Sequence, residues 1–196
     1  MTIDKLGMAK IKHLQRIHDL KSYRNACRVV RQLEPYTHSI YHEREKIIYL
    51  NKEGRELIGS NKEVKRTSYM SHTLLRNEVY LYFNCPLDWK NEYPLETSQK
   101  ALTAFDIQVK GITPINKKRV VADAVFTRNG YLNIIEIDNT RNMSDNKKKI
   151  ELYKGILPNL NMPMLYFFTH TEDRKRKLQE WMKGMKSEVR LFKEIL

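Results

Sequence analysis

Apolar residues recur at Met8, Ile11, Leu14 and Ile17, a spacing that lines one face of a helix over residues 8–18. A short break at Asp19-Leu20-Lys21 leads to Ser22, whose hydroxyl can cap a second helix. Ala26, Val29, Val30 and Leu33 form that helix's apolar stripe, and Pro35 stops it. Two short β-like runs follow, residues 36–41 and 46–50, around the charged tip His42-Glu43-Arg44-Glu45. A helix over residues 52–58 closes this segment, and the polar stretch Gly59-Ser60-Asn61-Lys62-Glu63 marks a boundary.

Beyond the boundary, residues 68–83 read as an amphipathic helix with Leu74, Leu75, Val79, Tyr82 and Phe83 as its buried set. Short strands are expected at 89–95 and 105–109. Residues 120–127 and 131–137 form an antiparallel pair around Arg128-Asn129-Gly130, because Asn-Gly favours the tight turn of a hairpin. A helix over 145–157, a buried strand over 164–169, a helix over 172–185 and a strand over 189–192 complete the chain. There is no internal repeat. The expected class is α+β in two domains, residues 1–62 and 63–196, the second a sheet with helices packed on it.

Composition narrows the setting. The chain has 196 residues, 41% hydrophobic and 30% charged, enough apolar surface for a packed core. The greasiest stretch runs only from residue 162 to 168 and contains a proline, well short of the ~18 apolar residues that a membrane span needs. The first residues lack an apolar signal core, so neither secretion nor a membrane partner is expected. Cys27 and Cys85 have no metal-ligand spacing and make no disulfide framework. No Gly-rich phosphate loop, zinc-protease histidine pair or relaxase-type histidine cluster is visible, which argues against a nucleotide triphosphatase and against a self-sufficient nicking relaxase.

Charge supplies the first functional signal. The formal net charge is +13. The first 66 residues hold 15 basic and 8 acidic side chains, the rest 21 and 15, so charge density is higher at the front. Two helices around a three-residue break, followed by a hairpin, match a winged helix-turn-helix. On the second helix Arg24, Arg28 and Arg31 fall four and three residues apart, away from the apolar stripe. Asn25 joins them, and Lys21 and Tyr23 precede them. Arginine can grip guanine edges or phosphates, and asparagine can read adenine. Arg44 and Lys46 sit where a hairpin tip would reach the backbone or minor groove. Double-stranded DNA is the expected partner.

The second signal is a set of carboxylates embedded among apolar residues: Asp123 within VADAVF, then Glu136 and Asp138 within IIEIDNTR. Asp123 and Glu136 fall on neighbouring strands, and Asp138 shares a strand face with Glu136. Buried carboxylates need a counter-charge, a hydrogen bond or a cation. Asp123 and Glu136 can ligate Mg²⁺ or Mn²⁺, which would activate water and neutralise a phosphodiester. Pairing with Arg141 or with lysines of the following helix is the structural alternative. Glu78 and Glu92 are further carboxylates that could add a ligand.

Asp123, a hairpin and Glu136-x-Asp138 resemble the PD-(D/E)xK core of restriction-endonuclease-like folds. Together with the winged-helix pattern, His72 on a helix, Trp89 and Glu92 on a strand, and the Lys149…Tyr153 helix, residues 8–170 resemble the replication-relaxation family of Gram-positive plasmids and phages. The resemblance implies a cytoplasmic bacterial protein acting in plasmid or phage DNA replication, relaxation or mobilisation. A homodimer and a replication or relaxase protein are candidate partners. Two departures stand out. Ala122 replaces the motif's usual proline, and Asp138 stands where the motif has lysine, which an acceptor-only side chain cannot replace. Lys147, Lys149 or Lys154 could supply the missing cation, with Lys149 taken beside Asp123, Glu136 and Asp138 as the catalytic set. The balance favours a nuclease-like fold without cleavage. The alternatives are a divalent-metal-dependent DNA endonuclease or nickase, and a protein-interaction adaptor.

Overall fold

A computed structural model describes residues 1–64, 69–99, 116–139 and 142–196. The expected strand at 105–109 and Arg141 lie outside them. The chain is a mixed α+β protein and divides into two units, Met1–Pro86 with Ile195–Leu196, and Leu87–Glu194. No helix among the described residues is long and apolar enough to cross a membrane.

The first unit runs α1 (Thr2–Leu6), β1 (Ala9–Lys10), α2 (Ile11–Ile17), α3 (Tyr23–Gln32), β2 (Thr37–His42), β3 (Glu45–Leu50), α4 (Lys52–Ile58) and α5 (Met70–Tyr82). The helix expected from residue 8 starts at Ile11 instead. Ala9 and Lys10 are taken by the sheet, where they pair antiparallel with Ile48 and Ile47 in the order β1-β3-β2. α1 is a short helix that still buries Ile3 and Leu6.

α5 moves the expected boundary from Lys62–Glu63 to Pro86–Leu87. Its Met70 and Leu74 join Met8 and Ile47 in one apolar cluster, and Asn77 donates to the carbonyls of Leu6 and Met8 at 3.4 and 2.5 Å. The helix is buried on more than the one expected face: Arg76, Asn77 and Glu78 are inside as well. Glu78 therefore belongs to this unit and not to the carboxylate cluster. It accepts from His13 Nε2 at 2.8 Å, while His13 Nδ1 accepts from the Lys10 N–H. Despite burial, this bond and the nearby charges of His13, Lys10 and Arg16 hold its carboxyl below the ordinary range.

The second unit is a five-stranded sheet, β4 (Lys90–Gln99), β5 (Asn116–Arg128), β6 (Tyr131–Asp138), β7 (Pro163–Thr169) and β8 (Ser187–Leu191), paired in chain order. The first three strands run antiparallel and the last two parallel to β6. α6 (Met143–Ile156) and α7 (Glu172–Trp181) make the two crossovers. Asn129 and Gly130 both take positive φ, +51° and +78°, the turn that Asn-Gly favours between β5 and β6. α6 and α7 cover one sheet face, with Ile150, Ile156, Leu178 and Met182 in one core with Ile134, Leu165, Phe167 and Val189. The buried stripe of α6 also carries Asn146 and Tyr153, four- and three-residue steps from Ile150, so the helix brings polar groups to the sheet as well as apolar ones.

Candidate functional site

In the first unit the reversal between α2 and α3 is made by Asp19 and Lys21, both at positive φ (+47° and +60°). Ser22 then caps α3, accepting the Asn25 N–H at 3.2 Å. With Ala26 and Val30 turned inward, Arg24, Arg28 and Arg31 are exposed along the same helix. Lys21 is exposed and pairs with Asp19 at 2.5 Å; Tyr23 is exposed too. Asn25 is committed locally. Its amide donates to the Leu20 carbonyl at 3.0 Å, and its oxygen accepts from Arg28 Nε and Nη2 at 3.3 and 3.0 Å. It holds the turn and steers Arg28, which differs from the adenine-reading role expected of it.

The β2–β3 hairpin stands beside this face. Its tip, Glu43 and Arg44, takes positive φ at both residues, and Arg44 is exposed. A groove of about 210 Å³ between α3 and the hairpin is lined by Tyr23, Cys27, Arg31, Tyr41, Arg44 and Lys46, with Glu34 3.9 Å from Lys46. Lys10 and Lys12 reach Glu45 at 2.6 and 3.1 Å, tying the tip end of the hairpin to the start of α2. Tyr41, which also lines this groove, is three-quarters exposed. In the sequence only its alternation with Ile40 in the strand could have flagged it.

In the second unit the β5–β6 ladder closes at Ala124 opposite Ile135. One step further the Asp123 side chain replaces a strand partner, its Oδ2 accepting the Ile137 N–H at 2.7 Å. Glu136 is buried beneath α6, and the i, i+4 pair Lys149 and Tyr153 both point at it. Lys149 Nζ lies 2.6 Å from Oε2, and the Tyr153 hydroxyl donates to Oε1 at 2.5 Å. Lys149 Nζ also stands 4.0 Å from Asp123 Oδ1. Complete burial, then the charge of Asp123, pushes the Glu136 carboxyl up to about 8 against the opposing pull of Lys149 and Tyr153. Of the three candidate lysines, Lys149 is the one that arrives. Lys147 lies 5.8 Å over the Trp181 ring, and Lys154 pairs with Glu151 at 2.8 Å. Glu92 is exposed on β4.

Asp138 does not join this set. It shares the strand face with Glu136, as expected, but is enclosed by other partners. Asn146 and Thr169 donate to it at 2.8 and 2.7 Å, and Arg174 grips both oxygens at 2.7 and 2.5 Å. Although buried, these donors hold its carboxyl below the ordinary range. With every lone-pair direction engaged, Asp138 ties β6 to α6, β7 and α7. Arg174 came from a basic run, Asp173–Lys177, that reads in sequence as solvated surface. Nothing local separates it from Lys175, Arg176 and Lys177.

A hard divalent cation needs several oxygens turned to one point, with water filling the rest. Among the described residues no group of three His, Cys, Asp or Glu side chains is placed to hold a metal ion. The Asp123 and Glu136 oxygens are engaged by Lys149, Tyr153 and the Ile137 N–H, so this pair as it stands fits an ammonium and not Mg²⁺ or Mn²⁺. Compared with family models, curated proteins and solved structures, the chain matches none of them.

Proposed function

We propose that this protein binds duplex DNA through its first unit, used as a winged helix-turn-helix, with α3 in the major groove and the β2–β3 hairpin against the flanking backbone. The observation that carries the reading is the exposed row Arg24, Arg28 and Arg31 beside a hairpin bearing Arg44. Planar guanidiniums held on a capped helix can bind guanine edges or phosphates with two bonds each, and the hairpin adds phosphate contacts. Asn25 restricts Arg28 to one direction, lowering the entropy lost on contact.

The second unit is read as a nuclease-like fold serving DNA binding or assembly without cleavage. Asp138 in place of the motif's lysine, and its engagement by Arg174, support this. A role in plasmid or phage replication, relaxation or mobilisation follows from the resemblance of VADAVF and IIEIDNTR to the replication-relaxation family.

Fluorescence anisotropy with labelled duplex DNA tests the first reading. Arg24→Ala with Arg28→Ala should weaken binding by roughly tenfold or more, since charge-assisted contacts each contribute about 1–3 kcal/mol; unchanged affinity overturns it. Supercoiled plasmid incubated with Mg²⁺ or Mn²⁺ tests the second. It should stay intact, and nicking abolished by Asp123→Ala would replace this reading with that of a metal-dependent endonuclease.

A further inference from the structure

The carboxylates of the second unit already hold a cation, and it is covalently part of the chain. We infer that the Lys149 ammonium is the resident cation of the Asp123–Glu136 pair, standing where a divalent ion would otherwise bind, and that removing it converts the pair into a Mg²⁺/Mn²⁺ site. This deepens the non-cleaving reading of the second unit and rests on it.

Lys149 Nζ lies 2.6 Å from Glu136 and 4.0 Å from Asp123, within reach of both carboxylates. All three side chains are largely shielded from water, so the pair, once both carboxyls are ionised, requires a positive charge between them. An ammonium meets that need by donating hydrogen bonds into the same lone pairs that a metal would accept, so the two cations are mutually exclusive. The stem of Lys149 is anchored, because Ile150 and Tyr153 fix α6 in the core. Among the described residues, two further cations of the second unit are directed elsewhere. Arg174 is held by Asp138, and Lys148 lies 3.9 Å from Asp145.

The test is Mn²⁺ titrated into the full chain at pH 8.0, with free ion read from its electron paramagnetic resonance signal. Wild type should leave Mn²⁺ free up to about a millimolar. Lys149→Met, and Lys149→Gln as a second variant, should take up one Mn²⁺ per chain at least roughly tenfold more tightly. Adding Asp123→Asn to either variant should abolish the uptake. Wild type taking up Mn²⁺ well below a millimolar overturns the inference, and that measurement stands even if a variant fails to fold. Variants that fold but bind no better than wild type overturn it too. Mn²⁺ uptake by a wild type that still leaves plasmid intact would sink this inference while sparing the non-cleaving reading; nicking would sink that reading itself.

Discussion

At Glu136 burial and a neighbouring carboxylate oppose ionisation while an ammonium and a phenol favour it, and the first pair wins. A carboxyl whose folded-state pKa is raised holds its proton longer when folded than when unfolded. Folding stability then falls as pH rises between the ordinary value of 4.5 and about 8. Glu136→Gln, which cannot ionise, should remove that loss, seen as a smaller difference between urea midpoints at pH 5.5 and pH 8.5. Asp138 and Glu78 act in the opposite sense. Their lowered folded-state values supply stability above the ordinary carboxylate range that is lost as pH falls through those values. Removing Arg174 leaves Asp138 buried without its counter-charge. Arg174→Met should cost about 3–5 kcal/mol in urea unfolding, and adding Asp138→Asn should recover part of it.

Among the elements, α3 and the β5–β6 hairpin are where local chemistry and tertiary structure agree. Ser22 was legible as a cap because the Asn25 N–H it accepts lies only three residues on, and Ser22→Ala should cost about 1 kcal/mol in thermal unfolding. The start of α2 was not legible. Helical periodicity from Met8 is genuine, yet Ala9 and Lys10 complete a sheet formed with residues nearly forty positions away. Gly54 was equally silent: a side chain there would strike the Tyr36 carbonyl, which lies against α4. Gly54→Ala should therefore destabilise the first unit by more than ~2 kcal/mol in chemical denaturation, although alanine favours helices in isolation.

For the whole molecule, a net charge of +13 makes its association with DNA an ion-exchange process. The logarithm of the binding constant should fall linearly with the logarithm of salt concentration, by about 0.9 for each phosphate neutralised. Arg44→Ala should reduce that slope by about one unit, as measured by anisotropy across a salt series. The same charge was visible in composition, but not its distribution over a surface.

Period and composition alone determined the α+β class, the cap and arginine row of α3, the Asn-Gly hairpin and the placing of Asp123 and Glu136 on adjoining strands. These depend on neighbours within a few residues, or on the two-residue alternation of a strand. Tertiary structure decided the rest. It recruited α5 into the first unit, chose Lys149 over Lys147 and Lys154, and removed Asp138 from the site by pairing it with Arg174. A buried charge takes whichever partner the packed backbone brings within hydrogen-bond reach, and that choice is made between residues far apart in the chain.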